Sequence, residues 1–178
     1  MAIKELLLNF DKTVFFYFQN LQSPKLYYFL AWPTRFGETL LAETILVFGI
    51  LIFDKAKRLE KIAVSSAGIL ITHWASIYLK ALFHRPRPFQ IWPQIHVIYG
   101  KPFNGALPSG HTSIAFAAAF LADYLYPGKM RWTYAVAAWI GITRIYIGVH
   151  YPTDILAGAV TGIACAALTC KLIWRHNT

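Results

Sequence analysis

The sequence predicts an all-α fold: a polytopic transmembrane helix bundle with five spans, preceded by N-terminal helices lying in the interface. Three observations predict it. Of the 178 residues, 57% are hydrophobic and 14% are charged, roughly half the charge of an ordinary soluble domain. Mean hydropathy is +0.45. Apolar runs approaching the ~20 residues needed to cross a bilayer recur along the chain, separated by short basic links. Disorder and nucleic-acid-binding tails are excluded, because both need polar, charge-rich stretches. A net charge of +9 would suggest nucleic acid in a soluble chain. In a membrane protein it is the usual Lys and Arg excess of cytoplasmic loops, so the expected surroundings are a lipid bilayer and no nucleic acid.

The first residues carry Lys4, Glu5, Asp11 and Lys12, which leave no apolar signal core, and no small-residue cleavage site follows; a cleaved signal peptide is not expected. Residues 13–33 are apolar in places but broken by Gln19, Asn20, Gln22, Ser23, Pro24 and Lys25. They read as an amphipathic helix and then a short helix over 26–32, both in the interface. A broken sixth span is the alternative, favoured by Lys4 and Lys12, since five spans leave the N-terminus outside. The five spans are 38–53, 62–79, 109–126, 132–149 and 153–174. Their links are short and none is rich in Ser and Gly, so residues 1–178 read as one integral-membrane domain. Cys165 and Cys170 sit five residues apart, a turn of about 500° on a helix, which excludes a disulfide framework.

Orientation follows from the basic residues. Lys55, Lys57, Arg58 and Lys61 fill one link, Lys129 and Arg131 another, and Lys171 and Arg175 the tail. With these on the cytoplasmic side, the loop 80–108 and the link 148–152 face outside. That face collects the polar residues. Lys80 ends the second span and is followed by His84-Arg85-Pro86-Arg87-Pro88, where the prolines prevent helix. Juxtamembrane cations also meet lipid headgroups, and Lys80 and Arg87 alone do not separate the two uses. Pro108-Ser109-Gly110-His111 opens the third span, with Ser109 placed to cap a helix. The N–H groups of Gly110 and His111 would then make an anion site; a plain cap with an incidental histidine has the same sequence. In the fourth span Arg144 interrupts an apolar run, where a charge is costly. His150 and Asp154 lie four apart, the spacing of one helical face, and a carboxylate beside an imidazole fixes its tautomer. Lys80, Arg87 and Arg144 would repel a divalent cation, so no metal and no other cofactor is expected. Their convergence with His111, His150 and Asp154 on one face describes a phosphate site with nucleophile and acid built in.

These residues resemble the type 2 phosphatidic acid phosphatase superfamily, itself similar to vanadium haloperoxidases and glucose-6-phosphatase. The family pattern is Lys, six residues, Arg-Pro; then Pro-Ser-Gly-His; then Ser-Arg, five residues, His, three residues, Asp. Here it reads Lys80 to Arg87-Pro88, Pro108 to His111, and Arg144 to His150 to Asp154, with Thr143 where the family usually has Ser. The resemblance implies a membrane phosphatase acting through phosphohistidine. His150 attacks phosphorus and Asp154 orients its ring. His111 protonates the leaving oxygen and then activates water. Lys80, Arg87, Ser109, Gly110 and Arg144 hold the phosphoryl oxygens, and no metal is required. It also implies a site on the extracytoplasmic side of the inner (plasma) membrane and a membrane lipid phosphate or diphosphate as substrate. Lipid A 1-phosphate is the first expectation; undecaprenyl diphosphate and phosphatidylglycerophosphate are the others. From another class, a non-catalytic lipid-binding or transport protein of the same fold is the alternative, against which the intact His111, His150 and Asp154 speak.

Three further features bear on this reading. Aromatics at Phe89, Trp92, Tyr99 and Phe103 suit a lipid entrance or interfacial anchoring. Gly158 and Gly162 form a small-xxx-small face, read as close packing within the bundle ahead of dimerisation. Oligomeric state is left open. Glu43 and His73 lie within spans and are expected to make buried structural hydrogen bonds ahead of a proton-relay role.

Overall fold

Runs of Ala, Leu and Ile bounded by proline, glycine and charged clusters set the helix limits. The computed structural model describes residues 2–31, 38–55, 57–98 and 100–173; Trp32, Pro33, Tyr99, Trp174 and Arg175 lie outside them. The helices are α1 (Ala2–Asn20), α2 (Pro24–Ala31), α3 (Thr39–Phe53), α4 (Arg58–Phe83), α5 (Pro88–Ile91, a single turn), α6 (Gly110–Leu125), α7 (Thr133–Tyr146) and α8 (Pro152–Ile173). Pro24, Pro88 and Pro152 each open a helix at a position where a missing N–H costs nothing. The fold is an all-α bundle, as expected.

At a rise of about 1.5 Å per residue, only α4 and α8 among the described helices are both long and apolar enough to cross a bilayer. The other three expected spans are shorter helices of 15, 16 and 14 residues. Tyr126-Pro127-Gly128 cuts α6 short, and Gly128 turns the chain with φ at +75°.

Helices α4, α6 and α8 pack against one another at the centre, α3 lies on α4 and α6, and α7 lies on α6. The Gly158 and Gly162 face is what lets α6 and α8 approach. A Cβ on Gly158 would lie 2.8 Å from the Ser109 carbonyl oxygen, and one on Gly162 would run into the Ser113 carbonyl. Close packing within the bundle therefore uses the small residues. Gly162→Ala should destabilise the protein by about 1–3 kcal/mol through overpacking against backbone. The measurement is the thermal unfolding midpoint in detergent, with Gly49→Ala as the comparison, since nothing lies within 4 Å of that site.

The N-terminal segment departs from expectation. Helix α1 starts at Ala2, well before residue 13, and docks on α7 and α8 while α2 docks on α7. The polar residues that seemed to mark an interfacial helix have partners in the bundle. Gln19 Nε2 donates to the carbonyls of Ile145 (2.9 Å) and Tyr146 (3.2 Å), and Gln22 Nε2 to that of Tyr146 (2.7 Å). The Tyr146 carbonyl is one that the end of α7 leaves without a helical partner, and the Ile145 carbonyl also accepts the Gly148 N–H at 3.0 Å. Leu6 and Phe10 stay exposed on the opposite face of α1, so one side of the helix serves the bundle and the other is left apolar.

The two ends of the bundle differ in chemistry. At one end Asp54 accepts from Lys61 and from the Tyr126 hydroxyl. At the other, the last turns of α4 and α7 meet the first turns of α6 and α8; the Ser109 N–H donates to the Asp154 carbonyl at 3.0 Å.

Candidate active site

Lys80 stands in the last turn of α4, where its Nζ donates to the carbonyls of Gly105 (3.0 Å) and Pro108 (2.5 Å). The helix ends at His84, in a left-handed conformation with φ of 45°, because Pro86 and Pro88 cannot continue it. Arg87 then turns inward and is 2% exposed. Its Nε and Nη2 donate to the backbone oxygen and side-chain Oδ1 of Asn104 (2.8 and 2.7 Å). Its Nη1 donates to the Val149 carbonyl (2.9 Å) and lies 3.2 Å from His150 Nε2.

His150 precedes α8, so the four-residue spacing to Asp154 is not a helical face. Asp154 instead reaches back from the first turn of α8. Its Oδ2 lies 3.3 Å from His150 Nδ1 and accepts the Tyr151 N–H at 2.9 Å. The contacts assign the tautomer: Nδ1–H donates to Asp154, and the Nε2 lone pair accepts from Arg87. Burial, with the positive charges of Arg87, Lys80 and Arg144, holds the His150 imidazole well below the usual value of 6.5, so it is neutral near pH 7.

Lys80, Arg87, Gly110, His111, Arg144 and His150 line a single cavity of about 310 Å³. Six of the eight expected site residues are thus brought together on its wall. Asp154 stands behind His150. Ser109 does not reach the cavity: it is fully buried, its hydroxyl accepts from Thr112 Oγ1 at 2.9 Å, and it makes no side-chain cap. The N–H groups at the start of α6 are therefore not taken by that hydroxyl. Thr143 is likewise turned away, its hydroxyl donating to the Ile140 carbonyl within α7 at 2.6 Å.

Other residues were not assigned a role from the sequence. Asn104 shapes Arg87. Arg85 Nη1 donates to Asp154 Oδ1 at 2.7 Å, and its Nη2 to Asp11 of α1 at 2.6 Å. Arg85 carried a signal, since it precedes Arg87 by two in a proline-paired run; Asp11, more than seventy residues away, carried none. The cavity also extends past Ser76 and His73 to Thr39 and Glu38. His73 finds its hydrogen-bond partner in Thr39 Oγ1 at 2.9 Å, while Glu43 is half-buried on α3. In the aromatic segment, Phe89 packs on Tyr146 and Ile147, and Trp92 stacks on Phe15. Phe103 is fully exposed. Phe89 and Trp92 are thus held by the bundle, whereas Phe103 is free of it.

The sequence matches the family model described as the PAP2 superfamily over residues 62–178. The chain belongs to this superfamily. Among PAP2 relatives, it is 30% identical over 146 residues to the bacitracin transport permease protein BcrC of Bacillus licheniformis, covering 78% of this chain and 62% of that one. It is 31% identical over 153 residues to the lipid A 1-phosphatase of Rhizobium etli, covering 72% of this chain and 63% of that one. The chain thus spans a little under two thirds of the length of these curated relatives. The crystal structure of Aquifex aeolicus LpxE superposes with a TM-score of 0.76 at 28% identity, covering 90% of this chain and 94% of that one. A transmembrane PAP2 phosphatidylglycerolphosphate phosphatase from Bacillus subtilis shares the fold, with a TM-score of 0.70 at 20% identity, over 99% and 90% of the two chains.

Proposed function

We propose that this protein hydrolyses a lipid phosphate or diphosphate, without a metal, through a phosphohistidine at His150. The carrying observation is the His150 ring, held by Asp154 at Nδ1 and presenting Nε2 to a cavity walled by Lys80, Arg87, Arg144 and His111. In the first step Nε2 attacks phosphorus. The bond to the leaving oxygen breaks, and His111 supplies that oxygen's proton. In the second step His111 takes a proton from water, which attacks the phosphoryl group and releases His150. The three cations and the Gly110 N–H stabilise charge on the phosphoryl oxygens in both.

A transmembrane relative supports a membrane-spanning protein; the distribution of basic residues supports five spans, with a sixth broken span over α1 and α2 as the alternative, and a site on the extracytoplasmic side of the plasma (inner) membrane. The likeness to lipid A 1-phosphatases supports lipid A 1-phosphate as substrate. Similarity to the putative undecaprenyl-diphosphatase YbjG of Escherichia coli, at 33% identity, supports undecaprenyl diphosphate as the runner-up, and phosphatidylglycerophosphate follows.

The test is phosphate release from a panel of purified lipid phosphates in excess EDTA. Turnover should persist there, because Lys80, Arg87 and Arg144 leave a divalent cation no favourable place, and lipid A 1-phosphate should be hydrolysed fastest. Vanadate, which adopts five-coordinate oxygen geometry, should inhibit as a transition-state mimic. Activity that vanishes in EDTA and returns with a divalent metal, or no release from any lipid, would overturn the proposal.

A further inference from the structure

The N-terminal helix sends one carboxylate into the bundle beside the site. Asp11 is 3% exposed on a helix whose neighbouring residues Leu8, Phe10 and Lys12 are exposed. It lies outside the segment 62–178 that matches the family model. Its Oδ1 accepts the Thr153 N–H at 2.9 Å, and its Oδ2 accepts the Thr153 hydroxyl at 2.6 Å and Arg85 Nη2 at 2.6 Å. Thr153 is in the first turn of α8, where N–H groups have no partner within their own helix. Asp11 therefore caps α8 from another helix, one residue before Asp154. Arg85 closes the loop through Thr153 Oγ1 and Asp154 Oδ1, both at 2.7 Å, with its guanidinium over the Tyr151 ring at 4.2 Å.

We infer that Asp11 is a positioning residue for the reaction at His150, acting through Arg85 and Thr153 on Asp154; the inference rests on the phosphohistidine reading above. Two effects combine. The first is geometric: Asp154 Oδ1 is occupied by Arg85, which leaves Oδ2 for His150 Nδ1 and the Tyr151 N–H. The second is charge. Asp11, Arg85 and Asp154 together carry a net negative charge; without Asp11, Arg85 would cancel Asp154. When Nε2 bonds to phosphorus and the leaving group departs with a proton from His111, Nδ1 keeps its hydrogen and the ring becomes cationic. A net negative cluster behind Nδ1 stabilises that cation. Burial of Asp11 and Asp154, the latter 0% exposed, keeps the interaction from being screened by water and salt. The other charged or titratable groups on the cavity wall are Lys80 and His73 from α4, Arg87 ahead of α5, His111 from α6, Arg144 from α7 and Glu38 ahead of α3. Glu38 is the one negative group among these and interacts with Arg144, whereas the His150 ring nitrogens meet Arg87 and Asp154, so the carboxylates behind Nδ1 are the side that directly supports a cationic ring.

Asp11→Asn keeps the shape and removes the charge. In the purified full chain, single-turnover formation of the phosphoenzyme should slow by about 10- to 100-fold, the usual cost of removing an outer partner of a functional histidine. KM should change little, because the cations that hold phosphate are untouched. The acid limb of the rate should move to lower pH, since His150 loses a charge that favours its protonated form. Asp11→Glu should recover part of the rate. If Asp11→Asn fails to fold, Arg85→Lys, which keeps the charge of the cluster but cannot span both carboxylates, should slow phosphoenzyme formation through the lost geometry and leave the acid limb in place; an unchanged rate would overturn the inference. A lower unfolding midpoint with unchanged rate per folded molecule and an unchanged pH profile would reduce Asp11 to a structural cap and overturn the inference alone. Absence of phosphoenzyme in the unsubstituted protein would instead overturn the phosphohistidine reading, and this inference with it.

Discussion

His150→Ala is expected to abolish both phosphoenzyme formation and turnover. The loss should be on the order of 10⁶-fold, the scale seen when the nucleophile of a concerted catalytic group is removed. The size follows from the wall of the cavity. Lys80, Arg87 and Arg144 are cationic and already donate or repel, and among the described residues His111, at the start of α6, has no carboxylate partner of the kind that Asp154 gives His150 at 3.3 Å. Among those residues no second group is therefore activated for attack. In the unsubstituted protein, phosphoenzyme formation should continue below pH 6.5. His150 acts in its neutral form, and burial together with the neighbouring cations holds it neutral to lower pH than a free imidazole. The measurement is acid-quenched labelling with a radioactive lipid phosphate, alongside the unfolding midpoint to establish that the variant is folded. Label retained on the alanine variant would move the nucleophile elsewhere.

His111→Ala should separate substrates by leaving group. A monophosphate ester expels an alkoxide, which needs a proton as the bond breaks; a diphosphate expels a lipid phosphate, already a much weaker base. General acid catalysis contributes about 10²–10⁴-fold, so the first step should slow by that factor for esters and far less for diphosphates. Because His111 also activates water, the second step slows equally for both and masks the contrast in steady state. Single-turnover kinetics of phosphoenzyme formation is the informative measurement. Equal slowing for both substrate types would remove His111 from the role of leaving-group acid.

The cavity wall was legible in the sequence because its residues are set at short range. Lys80 to Arg87, Pro108 to His111 and His150 to Asp154 each span one turn or loop, so spacing alone limits where the side chains go. Ser109 stands apart from the cavity because its hydroxyl is taken as an acceptor by the Thr112 side chain three residues on, while the Thr143 hydroxyl is captured by a backbone acceptor of its own helix, the Ile140 carbonyl. The role of α1 was not legible. Gln19, Gln22 and Asp11 look like the polar side of an interfacial helix; only the arrival of α7 and α8, more than a hundred residues later, converts them into caps and a charge partner. Helices α3 and α6 match their expected limits to within a residue at each end, while α7 stops at Tyr146, short of the expected 149, because the hydropathy window runs on through Ile147-Gly148-Val149, where Gly148 turns the chain with φ at +86° without lowering apolarity.

The contact between Arg87 and His150 Nε2 has a consequence for selectivity. Under the proposed reaction, the Nε2 lone pair that attacks is engaged by an Arg87 guanidinium hydrogen at 3.2 Å, so the nucleophile is latched. An incoming phosphoryl oxygen competes for that hydrogen in proportion to its own negative charge. The ligand thereby exposes the atom that will attack it, and a neutral phosphotriester of identical shape would leave the latch shut. On the proposed function, selection of anionic over neutral lipids would start at this one hydrogen bond, before any feature of the lipid tail is read.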